Sequence, residues 1–186
     1  MEEPPQQPPE RVAAGRALTV VSGHASRGMS HLSVWLTVGV GAAFALVVTN
    51  LDVVTRFIHL GDVRISLLIF LGSILVGGLA RLLGVMVESG VQSAAEGNKI
   101  GEELANMHSD FDMQKFGQEF KRGCIPPYTW IVQWSLDRAF SGDAAAGARY
   151  TSKMSQFQAV LVLIQMILCA VALIWFGISM DPELQG

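Results

Sequence analysis

Three long apolar blocks dominate the pattern of hydrophobic and polar positions along the chain. They cover about residues 32–49, 65–87 and 157–179, and every charged residue except Arg81 lies outside them. Each block is close to the ~20 residues that an α-helix needs to cross ~30 Å of hydrocarbon. The pattern therefore predicts an all-α integral membrane protein with three transmembrane helices.

The polar stretches define the remaining regions. Residues 1–31 form a polar leader that begins with several prolines and glutamines, a composition typical of disorder. Residues 32–87 hold the first two transmembrane helices, joined by a short outer loop at 50–64. Residues 180–186 form an outer tail, and only residues 88–156 are long enough for a folded layer outside the membrane.

That long connection has helical periodicity of its own. Ile100, Leu104, Met107 and Phe111 recur at spacings of four, three and four residues, which puts them on one helical face. A second amphipathic helix is predicted after Ser109. Two such helices bury little surface alone, so we expect a small helical cytoplasmic layer that packs on itself, on the membrane or on a second copy of the chain.

An aromatic segment at 126–141 belongs to the same connection. It carries Tyr128, Trp130 and Trp134, and such side chains favour the bilayer interface, where the ring is apolar and its polar atom stays hydrated. The segment is interpreted as an interfacial helix. A core helix of the cytoplasmic layer is the alternative.

Lysine and arginine are concentrated on one side of the predicted membrane. With three spans the leader and the long connection share a side, and they carry three and seven basic residues respectively. The loop at 50–64 carries only Arg56 and Arg64, and the tail carries none. Because cytoplasmic segments are enriched in basic residues, we expect a cytoplasmic N-terminus and an outer C-terminus, in a membrane that would be the inner membrane of a bacterium.

Small residues recur at helical spacing within the first two spans. The first span has Thr37, Gly41 and Ala45, and the second has Ser73, Gly77, Ala80 and Gly84. Lipid gives helices no hydrophobic drive to associate, so close backbone approach at small residues is a common basis of helix packing in membranes. Both sets are predicted to be helix-packing and assembly surfaces.

Four polar residues stand within or next to the spans. Arg81 and Glu88 lie seven residues apart at the end of the second span, and Gln158 and Gln165 lie seven apart in the third. Polar groups in hydrocarbon normally face protein and pair with one another. The hypothesis is that Arg81 is held by Glu88 and by one of the two glutamines; the alternative is that it extends to the headgroups.

No pattern of residues predicts catalysis or a bound cofactor. The segment "GDAAAGAR" has two glycines at phosphate-loop spacing but lacks the following Lys-Ser/Thr. The histidines and the two cysteines have no metal-ligand spacing, and acidic residues balance the basic ones, which argues against nucleic-acid binding. We expect no catalytic residue, no cofactor, no metal and no nucleic-acid partner.

Two classes of function fit these features. The first is a non-catalytic membrane subunit or scaffold, whose small-residue surfaces build a homo-oligomer or join other membrane-protein subunits. The second is an oligomeric channel or a holin-like pore-forming protein, which needs a polar stripe facing water. Both require the lipid bilayer as their environment, and the few intramembrane polar residues favour the first.

Overall fold

The computed structural model describes residues 9–56, 58–107, 129–130, 133–134, 138 and 145–180. Its helices are α1 (Pro9–Thr49), α2 (Leu51–Val54), α3 (Leu60–Met107) and α4 (Ala146–Ile178), and these described residues contain no strand. Three of the helices, α1, α3 and α4, are long and apolar enough to cross a membrane. The prediction of an all-α chain with three helices long and apolar enough to span a membrane is confirmed for the described residues.

The long helices extend well beyond the apolar blocks. α1 has 41 residues, α3 has 48 and α4 has 33, whereas a span needs only ~20. α1 thus begins at Pro9, within the leader, while residues 1–8 lie outside the described residues; α3 continues from the second apolar block to Met107 without a break. Of the expected cytoplasmic layer, residues 108–128 lie outside the described residues.

Local hydrogen bonds set the ends of the helices near the short loop. At the end of α1, the side-chain amide of Asn50 donates to the carbonyl of Leu46 at 2.8 Å, and the Thr49 hydroxyl donates to the carbonyl of Ala45 at 3.0 Å. The carbonyl of His59 accepts from the backbone N–H of Asp62 at 3.0 Å, which starts α3. These contacts satisfy groups that a helix end leaves without an intrahelical partner.

The chain divides into two compact units, of which the first comprises residues 1–23 and 87–153. Its helices meet at small residues: a Cβ added to Gly15 would lie 3.5 Å from the Cβ of Ala145, and one added to Gly23 would lie 3.3 Å from a methyl carbon of Val91. Most helix stability in proteins comes from such tertiary packing. This packing supports the helical conformation of the described part of the leader.

The second unit comprises residues 24–86 and 154–186, and its buried positions repeat every 3.5 residues on average. On α3 the buried residues follow steps of three and four, as they do on α4. Those of α3 are Val63, Ser66, Phe70, Ser73, Gly77, Ala80 and Gly84, and those of α4 include Ser155, Gln158, Val162, Gln165, Cys169 and Ala172. A repeat of this kind is typical of helices packed as in a left-handed coiled coil.

An aromatic core closes this unit at the end where α1 stops and α3 begins. The rings of Phe44 and Phe70 are stacked with centroids 5.0 Å apart, and Phe176 packs edge-on against Phe44 at 6.1 Å. Cys169 and Ala172 of α4 belong to the same buried cluster. Large side chains from three helices thus meet against small ones from α4.

Candidate functional site

Buried polar side chains are concentrated between the helices of the second unit. Gln158 and Gln165 are fully buried, and at most 1% of the surface of Ser26, Ser33 and Ser73 is exposed. A polar group removed from water without a hydrogen-bond partner costs several kcal/mol in apolar surroundings, about 4–8 on a water-to-cyclohexane scale. The partners of these groups therefore determine how the helices fit together.

Gln158 of α4 is held by two serines of α1. Its Oε1 accepts from the hydroxyl of Ser26 at 2.7 Å. Its Nε2 donates to the Ser26 carbonyl at 3.3 Å and to the hydroxyl of Ser30 at 3.1 Å. Both amide protons and one oxygen lone pair are engaged, so the amide is satisfied without water.

Gln165 repeats this arrangement one heptad further along. Its Oε1 accepts from the hydroxyl of Ser33 at 2.7 Å, while its Nε2 donates to the Ser33 carbonyl at 3.2 Å and to the hydroxyl of Thr37 at 3.0 Å. The Thr37 hydroxyl itself donates to the Ser33 carbonyl at 2.9 Å. Both hydroxyl groups of this layer, those of Ser33 and Thr37, are thus hydrogen-bonded to the Gln165 amide.

Two glycines of α3 make room for the two amides. A Cβ added to Gly77 would lie 2.6 Å from Nε2 of Gln165, and one added to Gly84 would lie 2.8 Å from Nε2 of Gln158 and 2.6 Å from the hydroxyl oxygen of Ser30. Real Cβ atoms essentially never approach another heavy atom to within 3.0 Å. A larger residue at either position would have to displace the glutamine amide from its hydrogen-bond partners.

These contacts form two glutamine layers, each with two hydroxyl side chains, one glycine and one glutamine. The first contains Ser26, Ser30, Gly84 and Gln158, and the second contains Ser33, Thr37, Gly77 and Gln165. The partners on α1 and α4 keep one offset of 132 residues, so these helices run parallel. The glycines occur in reverse order, so α3 runs antiparallel to both.

A third polar contact lies beyond the glutamine layers. The thiol of Cys169 donates to the hydroxyl of Ser73 at 3.4 Å, and that hydroxyl donates to the carbonyl of Phe70 at 2.7 Å. Ser66, one heptad before Ser73, is fully buried, and its hydroxyl oxygen has no partner among the described residues. This third contact borders the aromatic core, because Phe70 and Cys169 both belong to that cluster.

The small residues singled out from the sequence lie in different environments. Ser73, Gly77, Ala80 and Gly84 are all buried inside the chain. In the first span Thr37 reaches Gln165, and a Cβ on Gly41 would lie 3.5 Å from the Phe70 ring, but Ala45 is exposed. Residues spaced strictly by four rotate by 400°, so each is displaced by 40° from the one before. The inward face of α1 instead alternates steps of three and four, from Thr37 through Val40 to Phe44.

The intramembrane arginine does not join the glutamines. Arg81 is exposed, because it lies one residue, or about 100° of rotation, beyond the buried Ala80. The amides of Gln158 and Gln165 bond to α1 instead. Glu88 is half-buried and has an interaction partner.

Of the predicted interfacial aromatic residues, Tyr128 lies outside the described residues. Trp130 is 71% exposed, and Trp134 is 41% exposed. The Trp134 ring lies 5.6 Å from the ring of Tyr150 and 5.5 Å from the guanidinium carbon of Arg138. The latter distance is within the range of a cation–π contact.

Sequence reasoning missed the serines of α1 that bind the glutamines. Ser26 and Ser30 precede the first apolar block, so they were assigned to the leader, and Ser33 was not singled out within the block. The available signal was a matched spacing, since Ser26 and Ser33 are seven residues apart, as are Gln158 and Gln165. Equal heptad spacing of hydroxyl and amide side chains on two spans indicates that they face one another.

The chemistry of the glutamine layers is hydrogen bonding between neutral groups. Amides and hydroxyls do not change charge near neutral pH, so the layers connect α1 to α4 without placing a charge in the membrane. Among the residues that the structure describes, no group of three or more His, Cys, Asp or Glu side chains could hold a metal ion. Comparisons with protein-family models, curated proteins and solved structures find no match.

Gly77→Ala is expected to destabilise the protein, while Gly78→Ala is expected to be neutral or stabilising. A methyl group at Gly77 would displace the Gln165 amide from its partners, at a cost of about 1–3 kcal/mol. Gly78 has open space around it, and alanine is favoured over glycine in a helix by up to ~1 kcal/mol. Unfolding by SDS titration in mixed micelles measures both changes; equal effects would contradict the assigned role of Gly77.

Gln165→Leu is expected to lower the free energy of unfolding by about 1–2 kcal/mol, since single interhelical hydrogen bonds in membranes are worth ~0.6 and up to ~1.7 kcal/mol. The matched control is Gln156→Leu, because Gln156 is exposed on the same helix. In a double-mutant cycle, Ser33→Ala should cost less in the Gln165→Leu background than in the native chain. Additive costs would mean that Ser33 and Gln165 are not coupled.

Proposed function

We propose that this chain is a non-catalytic integral membrane subunit, a three-span scaffold for a homo-oligomer or a larger membrane complex. The observation that carries the proposal is the use of both intramembrane amides, Gln158 and Gln165, in bonds between α1 and α4. Polar groups that serve transport or catalysis must remain available to a solute or substrate, whereas these are occupied within the chain.

The small-residue face of α3 has a corresponding role in the proposal. Gly77 and Gly84 pack on glutamine side chains of the same chain, so this face builds the scaffold rather than the contact with a partner. Partners would instead bind the outward surfaces of the three helices. These surfaces are rich in exposed large apolar side chains, among them Trp35, Leu75 and Ile174.

The proposed orientation has the N-terminus in the cytoplasm and the C-terminus outside, in the inner membrane of a bacterium. It is supported by the excess of Lys and Arg in the leader and long connection. The parallel course of α1 and α4, with α3 antiparallel, supports an odd number of crossings. Such a chain has its ends on opposite sides.

The orientation can be tested with single cysteines in a Cys124→Ser, Cys169→Ser background. We expect Ser93→Cys to react with a membrane-impermeant maleimide only from the cytoplasmic side, and Thr55→Cys and Met180→Cys only from outside; all three native residues are exposed. Labelling of Ser93→Cys and Met180→Cys from one side would contradict three crossings. A fully reversed pattern would contradict only the orientation.

The scaffold proposal predicts no solute flux. Purified protein reconstituted in liposomes should not raise ion release above that of empty liposomes, and in mild detergent it should elute as a homo-oligomer or with a second membrane protein. Ion release that follows the protein-to-lipid ratio would favour the oligomeric channel or holin-like pore instead. A stable monomer without flux would contradict both proposals.

A further inference from the structure

A groove of about 380 Å³ opens at the end of the second unit where α1 stops and α3 begins. Val48 of α1 and Leu51 of α2 form one wall, and Leu60, Leu67 and Leu68 of α3 form the other. Arg64 is the single charged residue in the lining. The volume is in the range of small-molecule sites, about 300–1,000 Å³.

The groove faces the surroundings of the bundle rather than its core. Leu60 is 61% exposed and Leu68 is 58% exposed, so the groove opens outward along α3. In a chain whose long helices cross a membrane, such a surface at the end of a span meets lipid. We therefore expect the aliphatic chain of a lipid to lie between its apolar walls.

Arg64 gives the groove a polar end. Its side chain is exposed, and no hydrogen bond or ion pair holds its guanidinium among the described residues. The Cα–Cβ bonds of a helix tilt toward its N-terminus, so Arg64 leans toward the start of α3 and away from the bilayer centre. Leu67 and Leu68 lie one turn deeper.

This order of groups matches an anionic lipid. A guanidinium binds phosphate oxygens with two parallel hydrogen bonds, and the aliphatic wall begins one helical turn further into the membrane. We propose that the groove binds one acyl chain of an anionic phospholipid whose phosphate group pairs with Arg64. The inference rests on the membrane location of the chain and is independent of the scaffold proposal.

The test is lipid retention by the full-length protein in maltoside micelles, measured by native mass spectrometry. The protein is titrated with dioleoyl phosphatidylglycerol and, in parallel, with zwitterionic dioleoyl phosphatidylcholine. We expect phosphatidylglycerol to be retained preferentially, and Arg64→Gln to lower its apparent affinity about five-fold, as for one basic residue near an anionic surface. The matched control is Arg56→Gln, because Arg56 is an exposed arginine in the connection just before α3 and does not line the groove.

A second variant tests the apolar wall without changing charge. Leu68→Trp fills the groove at an exposed position and is expected to reduce retention of phosphatidylglycerol with Arg64 still present. Equal retention of the two lipids, or equal losses in Arg64→Gln and Arg56→Gln, would overturn the proposal. A photo-crosslinker at Leu68 that captures another protein chain instead of lipid would also overturn it.

Discussion

The arrangement of the second unit depends on one constraint: two amides buried among apolar helices must find partners on those helices. Gln158 and Gln165 meet it with Ser26, Ser30, Ser33 and Thr37. Because each glutamine uses both a backbone carbonyl and two hydroxyls of α1, a shift of α4 along α1 by a single residue would break three hydrogen bonds in each layer. The register of these two helices is thereby fixed, and the position of α3 follows from the glycines that leave room for the amides.

Large side chains also face small residues in the apolar part of the unit. Each glutamine on α4 lies against a glycine on α3. One heptad further, the large residue is on α3 and the small one on α4, since Phe70 packs in a cluster with Ala172. Lipid offers as much apolar contact as another helix does, so association in a membrane depends on close packing of this kind. The exchange of large and small partners keeps the helices close at both levels.

Much of the fold follows from sequence because its signals are local. Each apolar block has its length set by the bilayer, and the spacing of Ser73, Gly77, Ala80 and Gly84 indicates one helical face. The partners of that face are not local. Ser26 and Ser30 precede the apolar block of α1, and nothing within that stretch indicates that α4 covers them. The extension of α1 to Pro9 likewise depends on tertiary contacts, such as those of Gly15 with Ala145 and Ala148. Arg81 lies about 100° of rotation from Ala80, at the border of that face, and the sequence does not show how wide the buried part of the helix is.

The amides of Gln158 and Gln165 face the interior of the bundle, and this favours a scaffold over a pore. A conduit through one chain would have to separate α1 from α4, and that movement would break the bonds of both amides and open the aromatic core around Phe44 and Phe70. A conduit between copies would be lined by the outward faces, where exposed leucines and isoleucines predominate. Apolar constrictions of this kind tend to exclude water. The first route would break the contacts that hold the bundle, and the second would have an apolar lining. A scaffold uses the same outward faces for lipid and partner helices without disturbing the glutamine layers.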